Sequence, residues 1–131
     1  MTEHTPVEAF DWQRGSAQTF TGSVWSSPMS RSPERTVTAI GVMFEPSART
    51  FWHSHPDGQV LYVASGSGRV GNSDGQIVEI AAGDMVYTPA GESHWHGATP
   101  TSYLMHISIT TGGATVWEPR AVTDAEYNAG S

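Results

Sequence analysis

The sequence predicts an all-β domain, either a barrel or a two-sheet jelly roll, that ends in one short helix. Short runs rich in apolar and β-branched residues recur at close spacing, about ten in all, as barrels and jelly rolls require. The 14 glycines and 8 prolines of this 131-residue chain cluster between those runs, which indicates frequent turns. A chain of this length forms one domain and can bury its own hydrophobic core.

The elements follow from the alternation of apolar and polar residues. Residues 1–16 are polar and aperiodic, and they are predicted to form an arm that packs on the barrel or on a partner subunit, or that is partly mobile. Residues 17–131 form the domain. Strands are predicted at 18–25, 36–44, 49–55, 59–64, 69–72, 76–80, 85–88, 93–97, 102–110 and 114–118. Residues 27–34 are predicted as a loop, and 56–58, 65–68 and 73–75 as turns. Thr123 caps the final helix, with Glu126 closing a capping box.

Composition excludes several classes of function. The formal charge is −7 and there is no lysine, which argues against partners such as nucleic acid or an anionic membrane. The absence of cysteine excludes disulfides, thiolate metal sites and cysteine nucleophiles. No run approaches the ~20 apolar residues of a membrane span. Residues 1–10 lack the apolar core of a secretory signal, so we expect a cytoplasmic protein.

The histidines indicate a metal site. Residues two apart on a strand share a face, so His53 and His55 project together, roughly 7 Å apart at the backbone. Gln59 follows after a turn and can offer a carbonyl oxygen, while His94 opens a separate strand and supplies a third nitrogen. Such nitrogen and oxygen donors suit one divalent metal ion. The alternative is that His53 and His55 are only surface histidines on an amphipathic strand.

Glycines and prolines at fixed spacing surround these histidines. Gly66 lies seven residues after Gln59, and a second run reads Gly83, five residues, Pro89, one residue, Gly91, two residues, His94. In order and spacing the two runs resemble the two motifs of the cupin superfamily. The resemblance implies a cupin β-barrel, a double-stranded β-helix, that holds one metal ion on His53, His55, Gln59 and His94.

Gln59 departs from the cupin pattern, which has glutamate at this position. A neutral amide beside three neutral imidazoles leaves the charge of the ion uncompensated, which makes the ion a stronger Lewis acid. The alternative is that Gln59 does not bind the metal and that water takes its place.

A narrower resemblance covers nearly the whole chain, including residues 20–24, 44–46, 52–56, 94–98 and 122–124. These segments look like bacterial cupins that include manganese-dependent (R)-selective hydroxynitrile lyases, in which three histidines and one glutamine bind the metal. The resemblance implies manganese, although iron, nickel, cobalt or zinc would also accept these donors. It also implies that Thr50, His96 and His106 are catalytic and that Ile40, Val42 and Phe44 line the substrate pocket.

Strand alternation supports these positions and adds two more. Ile40, Val42 and Phe44 share one strand face, and His106 shares its face with Ser108 and Thr110, which we assign to the pocket. The alternative for His106 is a core histidine that a neighbour satisfies. The alternative for His96 is that it orients the metal ligands by hydrogen bonding or lies at the surface.

The leading functional hypothesis is the reversible cleavage of a cyanohydrin such as mandelonitrile to an aldehyde and HCN. His106 or His96 would be the base, and Thr50 would orient the substrate or a water molecule. Two alternatives remain open: oxygen chemistry on a redox metal, and metal-dependent binding of a small metabolite without catalysis. The arm and the outward-facing Trp52 and Trp95 indicate a homodimer or a homotetramer.

Overall fold

A computed structural model describes residues 2–30 and 36–130. Within these residues the chain forms twelve β-strands. The strands are β1 (Gln13–Arg14), β2 (Phe20–Thr21), β3 (Val24–Pro28), β4 (Val37–Phe44), β5 (Arg49–Thr50), β6 (His53–Ser54), β7 (Gln59–Asn72), β8 (Ile77–Ala81), β9 (Met85–Thr88), β10 (His94–Ala98), β11 (Leu104–Thr111) and β12 (Val116–Trp117). A 3-10 turn (Val7–Ala9) precedes them and helix α1 (Asp124–Tyr127) follows. The predicted all-β class and the short C-terminal helix are confirmed.

Two curved sheets face each other and share the long strand β7. The first half of β7 pairs with β11 and β9, and β11 continues through β4 and β3 to β1. The second half of β7 pairs with β8 and β10, and β10 continues to β5 and β6. The hydrophobic core lies between the two sheets and includes Phe44, Leu61, Val63 and Leu104, all at most 1% exposed. At one end of this barrel the core gives way to the histidines.

The predicted turn at residues 65–68 is wrong, because β7 runs through it. Gly66 has φ +78°, and the pairing of β11 with β7 shifts register between Met105 and His106, which identifies a β-bulge. A Cβ atom on Gly66 would lie 2.0 Å from the Tyr103 carbonyl oxygen, so no larger residue fits. The glycines therefore bend the strand from one sheet into the other instead of reversing the chain.

Three further boundaries differ from the prediction. The expected strand at 18–25 is interrupted at Gly22, which has φ +80°, so that β2 and β3 join different sheets. Strand β3 then extends to Pro28, inside the predicted loop, where proline is tolerated because it is the last residue of the strand. The expected strand at 49–55 is divided into β5 and β6. Residues 31–34 of the predicted loop lie outside the described residues.

The N-terminal segment packs on the barrel, one of the arrangements predicted for it. Gln13 of β1 pairs with Ser26 of β3, and the Gly15 N–H donates to the Val24 carbonyl oxygen at 2.8 Å. The Trp12 ring lies against Gly41, where a Cβ atom would come within 2.9 Å of it. The segment thus adds an edge strand to one sheet.

Helix α1 covers the outer face of the sheet that carries the histidines. Trp52 and Trp95, expected to point outward, are buried there against Val122 and Tyr127 of the same chain. Thr123 and Glu126 form the predicted capping box. Within residues 2–30 and 36–130, no helix has the length and hydropathy of a membrane span.

Candidate metal centre

The four predicted ligands meet at one end of the barrel, although 41 residues separate the first from the last. His53 on β6 pairs directly with His94 on β10, and their ring centroids are 4.3 Å apart. The His55 ring lies 5.1 Å from that of His53 and 5.3 Å from that of His94. Gln59 begins β7 beside them, and all four side chains are buried.

Backbone carbonyls fix the orientation of two of these rings. His53 Nδ1 lies 2.9 Å from the Phe51 oxygen, and His94 Nδ1 lies 3.0 Å from the Glu92 oxygen. A carbonyl oxygen only accepts hydrogen bonds, so each Nδ1 carries the hydrogen when the ring is neutral. Each Nε2 is therefore left with a lone pair, which is the form in which histidine binds a metal.

Gln59 presents its oxygen to the same centre. Its amide nitrogen donates to Ser108 Oγ at 2.6 Å, which places Oε1 3.2 Å from His94 Nε2. With the His94 hydrogen on Nδ1, both facing atoms are acceptors and no proton lies between them. A cation that binds both lone pairs would stabilise this arrangement, so the donor set fits a divalent metal.

Three further imidazole nitrogens in this cluster support that fit. His55 Nε2, His96 Nε2 and His106 Nδ1 are buried and have no hydrogen-bond partner among the described residues. Buried polar atoms are nearly always satisfied, so a concentration of such atoms in one place points to a ligand. The cluster can therefore hold both a metal and a polar small molecule.

One group of three histidines in the described part of the chain could hold a metal ion, and it has His96 where the predicted set has His55. Ring nitrogens of His53, His94 and His96 all lie within 4.8 Å of one another. His96 is predicted to be catalytic, and His55, a predicted ligand, lies outside this trio. Three histidines are thus placed to hold an ion, and the set His53, His55, Gln59 and His94 stays a prediction.

Burial keeps these imidazoles neutral. It lowers the pKa of His53 well below 6.5, an effect that neighbouring His94 increases. Burial and His94 together lower the pKa of His55 to about 4. Burial also lowers the pKa of His94. Because protons compete with metal for the same lone pairs, these lowered pKa values favour metal binding at neutral pH.

His96 and His106 form a second kind of arrangement beside the candidate ligands. His96 Nδ1 lies 3.0 Å from His106 Nε2, so the contact between the two rings occupies one nitrogen of each histidine. Burial lowers the pKa of both, that of His106 to about 3, so both are neutral and share one proton. Phe44 packs on both rings, and Thr50 Oγ1 accepts a hydrogen bond from the His96 backbone N–H. Whichever ring holds the shared proton, one outer nitrogen is a donor and the other an acceptor.

A cavity of about 260 Å³ opens onto these groups. Of the predicted pocket residues, Ile40, Val42 and Ser108 line it. Phe44 lies behind the His96 and His106 rings, and Thr110, which pairs with Gln59 on β7, is not among the described lining residues. The lining residues that the sequence did not reveal are Phe20, Ser26, Thr115 and Trp117. They come from short strands and a loop far from the histidine motifs, so no local pattern marked them.

Comparison with known proteins agrees with this fold. The family model of the cupin domain matches residues 42–110, and the chain belongs to this family. It is 42% identical over 118 residues to an (R)-mandelonitrile lyase of Granulicella tundricola, which covers 87% of this chain and 89% of that one. A cupin-like protein of Thermotoga maritima is 38% identical, with a TM-score of 0.84 over 88% of this chain and 90% of that one. The polyketide cyclase RemF of Streptomyces resistomycificus shares the fold, with a TM-score of 0.76 and 16% identity over 97% of this chain and 91% of that one.

Proposed function

We propose that this cupin is a metal-dependent lyase that reversibly cleaves cyanohydrins, such as mandelonitrile, to an aldehyde and HCN. The observation that carries the proposal is the neutral His96–His106 pair, which lies beside the candidate ligands at a cavity with apolar walls. The 42% identity to a protein named (R)-mandelonitrile lyase supports it. A divalent metal, manganese in this proposal, would be held by His53, His55, Gln59 and His94 and would supply Lewis acidity toward the substrate oxygen.

The histidine pair supplies the two proton transfers that the reaction needs. The unprotonated outer nitrogen of the pair accepts the hydroxyl proton of the cyanohydrin. The bond between the carbinol carbon and the nitrile carbon breaks, and its electron pair leaves with cyanide while the carbon–oxygen double bond forms. The other outer nitrogen carries a hydrogen, which it gives to cyanide to form HCN. Transfer of the shared proton from one ring to the other then makes both rings neutral again and leaves the pair in its other tautomer, with the donor and acceptor outer nitrogens exchanged.

Thr50 holds His96 in this geometry. Its oxygen accepts from the His96 backbone N–H at 3.2 Å, which leaves the hydroxyl hydrogen free to donate within the cavity. Ile40 and Val42 form an apolar wall against which the organic part of the substrate packs. The buried histidines and the apolar wall together exclude bulk water from the reacting atoms.

The test is cleavage of racemic mandelonitrile, followed by benzaldehyde absorbance, with protein that has been stripped of metal and reloaded with manganese. We expect turnover that depends on the metal and that selects one enantiomer. Equal rates for the loaded and the stripped protein, or no rate for either, would overturn the proposal.

A second copy of the chain is the protein partner that we propose. Met43, Tyr62, Met85 and Tyr87 lie on the outer face of the sheet and are 36–65% exposed. Tyr62 pairs with both Ile107 and Met85, so the patch is continuous across β11, β7 and β9. Neighbouring exposed apolar side chains are typical of an interaction surface, and two copies of charge −7 would meet with the least repulsion there. Light scattering should give a homodimer or homotetramer, and Tyr87→Arg should reduce it to a monomer.

A further inference from the structure

Two aromatic side chains form one wall of the cavity, and neither belongs to the histidine motifs. Phe20 lies on β2 and Trp117 on β12, strands that are 95 residues apart in the chain. Their ring centroids are 5.6 Å apart with an interplanar angle of 67°, an edge-to-face contact. The Trp117 ring also lies 4.7 Å from the ring of His53, a candidate metal ligand. The aromatic wall therefore stands directly beside the candidate metal centre.

The wall faces space that a ligand can occupy. Trp117 is 37% exposed and Phe20 is half-buried, whereas Trp52 and Trp95 are at most 5% exposed beneath helix α1. Ile40 and Val42 lie on the other apolar part of the same cavity. A molecule with one apolar end and one oxygen function would thus find hydrocarbon at the mouth and imidazoles at the floor.

The size of the cavity limits that molecule. A protein cavity of roughly 150 Å³ accommodates a benzene molecule. The 260 Å³ here accommodates one six-membered aromatic ring with a substituent of a few heavy atoms.

We infer that Phe20 and Trp117 form an aryl-binding wall that makes the site selective for substrates with a single aromatic ring on the oxygen-bearing carbon. Trp117 is the main specificity-determining residue, because its ring is the larger and packs against the ring of His53. The claim that the wall selects among reacting substrates rests on the proposed function, whereas the claim that it binds an aryl group does not. Edge-to-face contact between aromatic rings favours a phenyl ring over a saturated ring of similar size.

The experiment measures that preference by binding. Dissociation constants of benzyl alcohol and cyclohexylmethanol are measured by titration calorimetry on manganese-loaded protein. Wild-type protein should prefer benzyl alcohol, and Trp117→Leu should reduce the ratio of the two constants by about 2- to 10-fold. Phe20→Leu provides a second variant in case Trp117→Leu does not fold. Trp25→Leu is the matched control, because Trp25 is 38% exposed but points away from the cavity that its neighbour Ser26 lines.

The outcomes separate this inference from the proposed lyase activity. An unchanged ratio in Trp117→Leu, or no preference in wild type, would overturn the aryl-binding wall. An equal loss of affinity for both alcohols in Trp117→Leu, together with reduced metal content, would also overturn the aryl-binding wall. Trp117 would then only hold the His53 ring in place. If wild type cleaves no cyanohydrin, the proposed function fails, yet a ratio that falls in Trp117→Leu still supports the wall. If wild type does cleave cyanohydrins, Trp117→Leu should lower the ratio of kcat/KM for mandelonitrile to kcat/KM for the cyclohexyl cyanohydrin. The factor should match the one by which the ratio of dissociation constants falls.

Discussion

Four of the buried histidines form two groups that differ in what holds the ring. Backbone carbonyls accept from Nδ1 of His53 and His94, so the proton position is fixed and Nε2 presents a lone pair. His96 and His106 hydrogen-bond to each other instead, so their shared proton can sit on either ring. A fixed lone pair suits a metal ligand, and an exchangeable proton suits an acid–base pair. The hydrogen-bond partner of each histidine thus indicates which of the two roles it has.

The largest effect is expected from removing a carbonyl-anchored ring. His94→Ala should lower bound metal from about one ion per chain to near zero, because a nitrogen donor at the centre is lost. Elemental mass spectrometry of the purified protein measures this directly. His4→Ala serves as the control, because His4 is exposed and lies in the N-terminal segment. Full metal content in His94→Ala would remove the distinction between the two groups.

The mutually bonded pair should respond in the opposite way. His106→Ala should reduce kcat for mandelonitrile by about 10²- to 10⁴-fold, the usual contribution of general acid–base catalysis. Its metal content should stay at the wild-type level, because His106 is not a predicted ligand. Loss of metal together with activity would place His106 in the metal centre, and unchanged kcat would remove it from the mechanism.

A smaller effect is expected at the group that orients Gln59. Ser108 Oγ accepts from the Gln59 amide at 2.6 Å, which turns Oε1 toward His94. Ser108→Ala should therefore weaken metal affinity by about 10- to 100-fold, as loss of a group that orients a ligand does. Titration with manganese in a chelator buffer gives the affinity. Thr110→Ala, two residues along the same strand face, is the matched control and should bind metal as wild type does.

The sequence predicted the histidine centre better than the cavity around it. Local geometry can be predicted from the sequence. It determines the i, i+2 spacing of His53 and His55 and the glycine and proline spacing before His94. The strand boundaries at Gly22 and Gly66 were missed, because a glycine with positive φ permits either a turn or a bulge and the partner strand decides between them. Phe20 and Trp117 were missed for a related reason, since only the tertiary pairing of β2 and β12 brings them to the cavity.

The last expected effect is on stability instead of metal binding or turnover, and it concerns the buried histidines together. Burial lowers the pKa of His55 to about 4 and that of His106 to about 3, whereas in the unfolded chain both titrate near 6.5. Above pH 6.5 both states are neutral and the histidines leave the free energy of unfolding unchanged. Below pH 6.5 the unfolded state takes up protons that the folded state refuses, so stability falls as pH is lowered toward 4 and then 3.

Metal-stripped protein isolates this titration from metal release. Its Tm should fall between pH 6.5 and pH 5, a window that lies above the range in which ordinary carboxyl groups titrate. Each buried histidine contributes a slope of at most about 1.4 kcal/mol per pH unit. His106→Gln removes one such group and should make the pH dependence shallower, even if the variant is less stable throughout. A Tm that stays constant from pH 6.5 to pH 5 would show that the buried imidazoles accept protons in the folded state, and both the ligand group and the acid–base pair would then have to be reassigned.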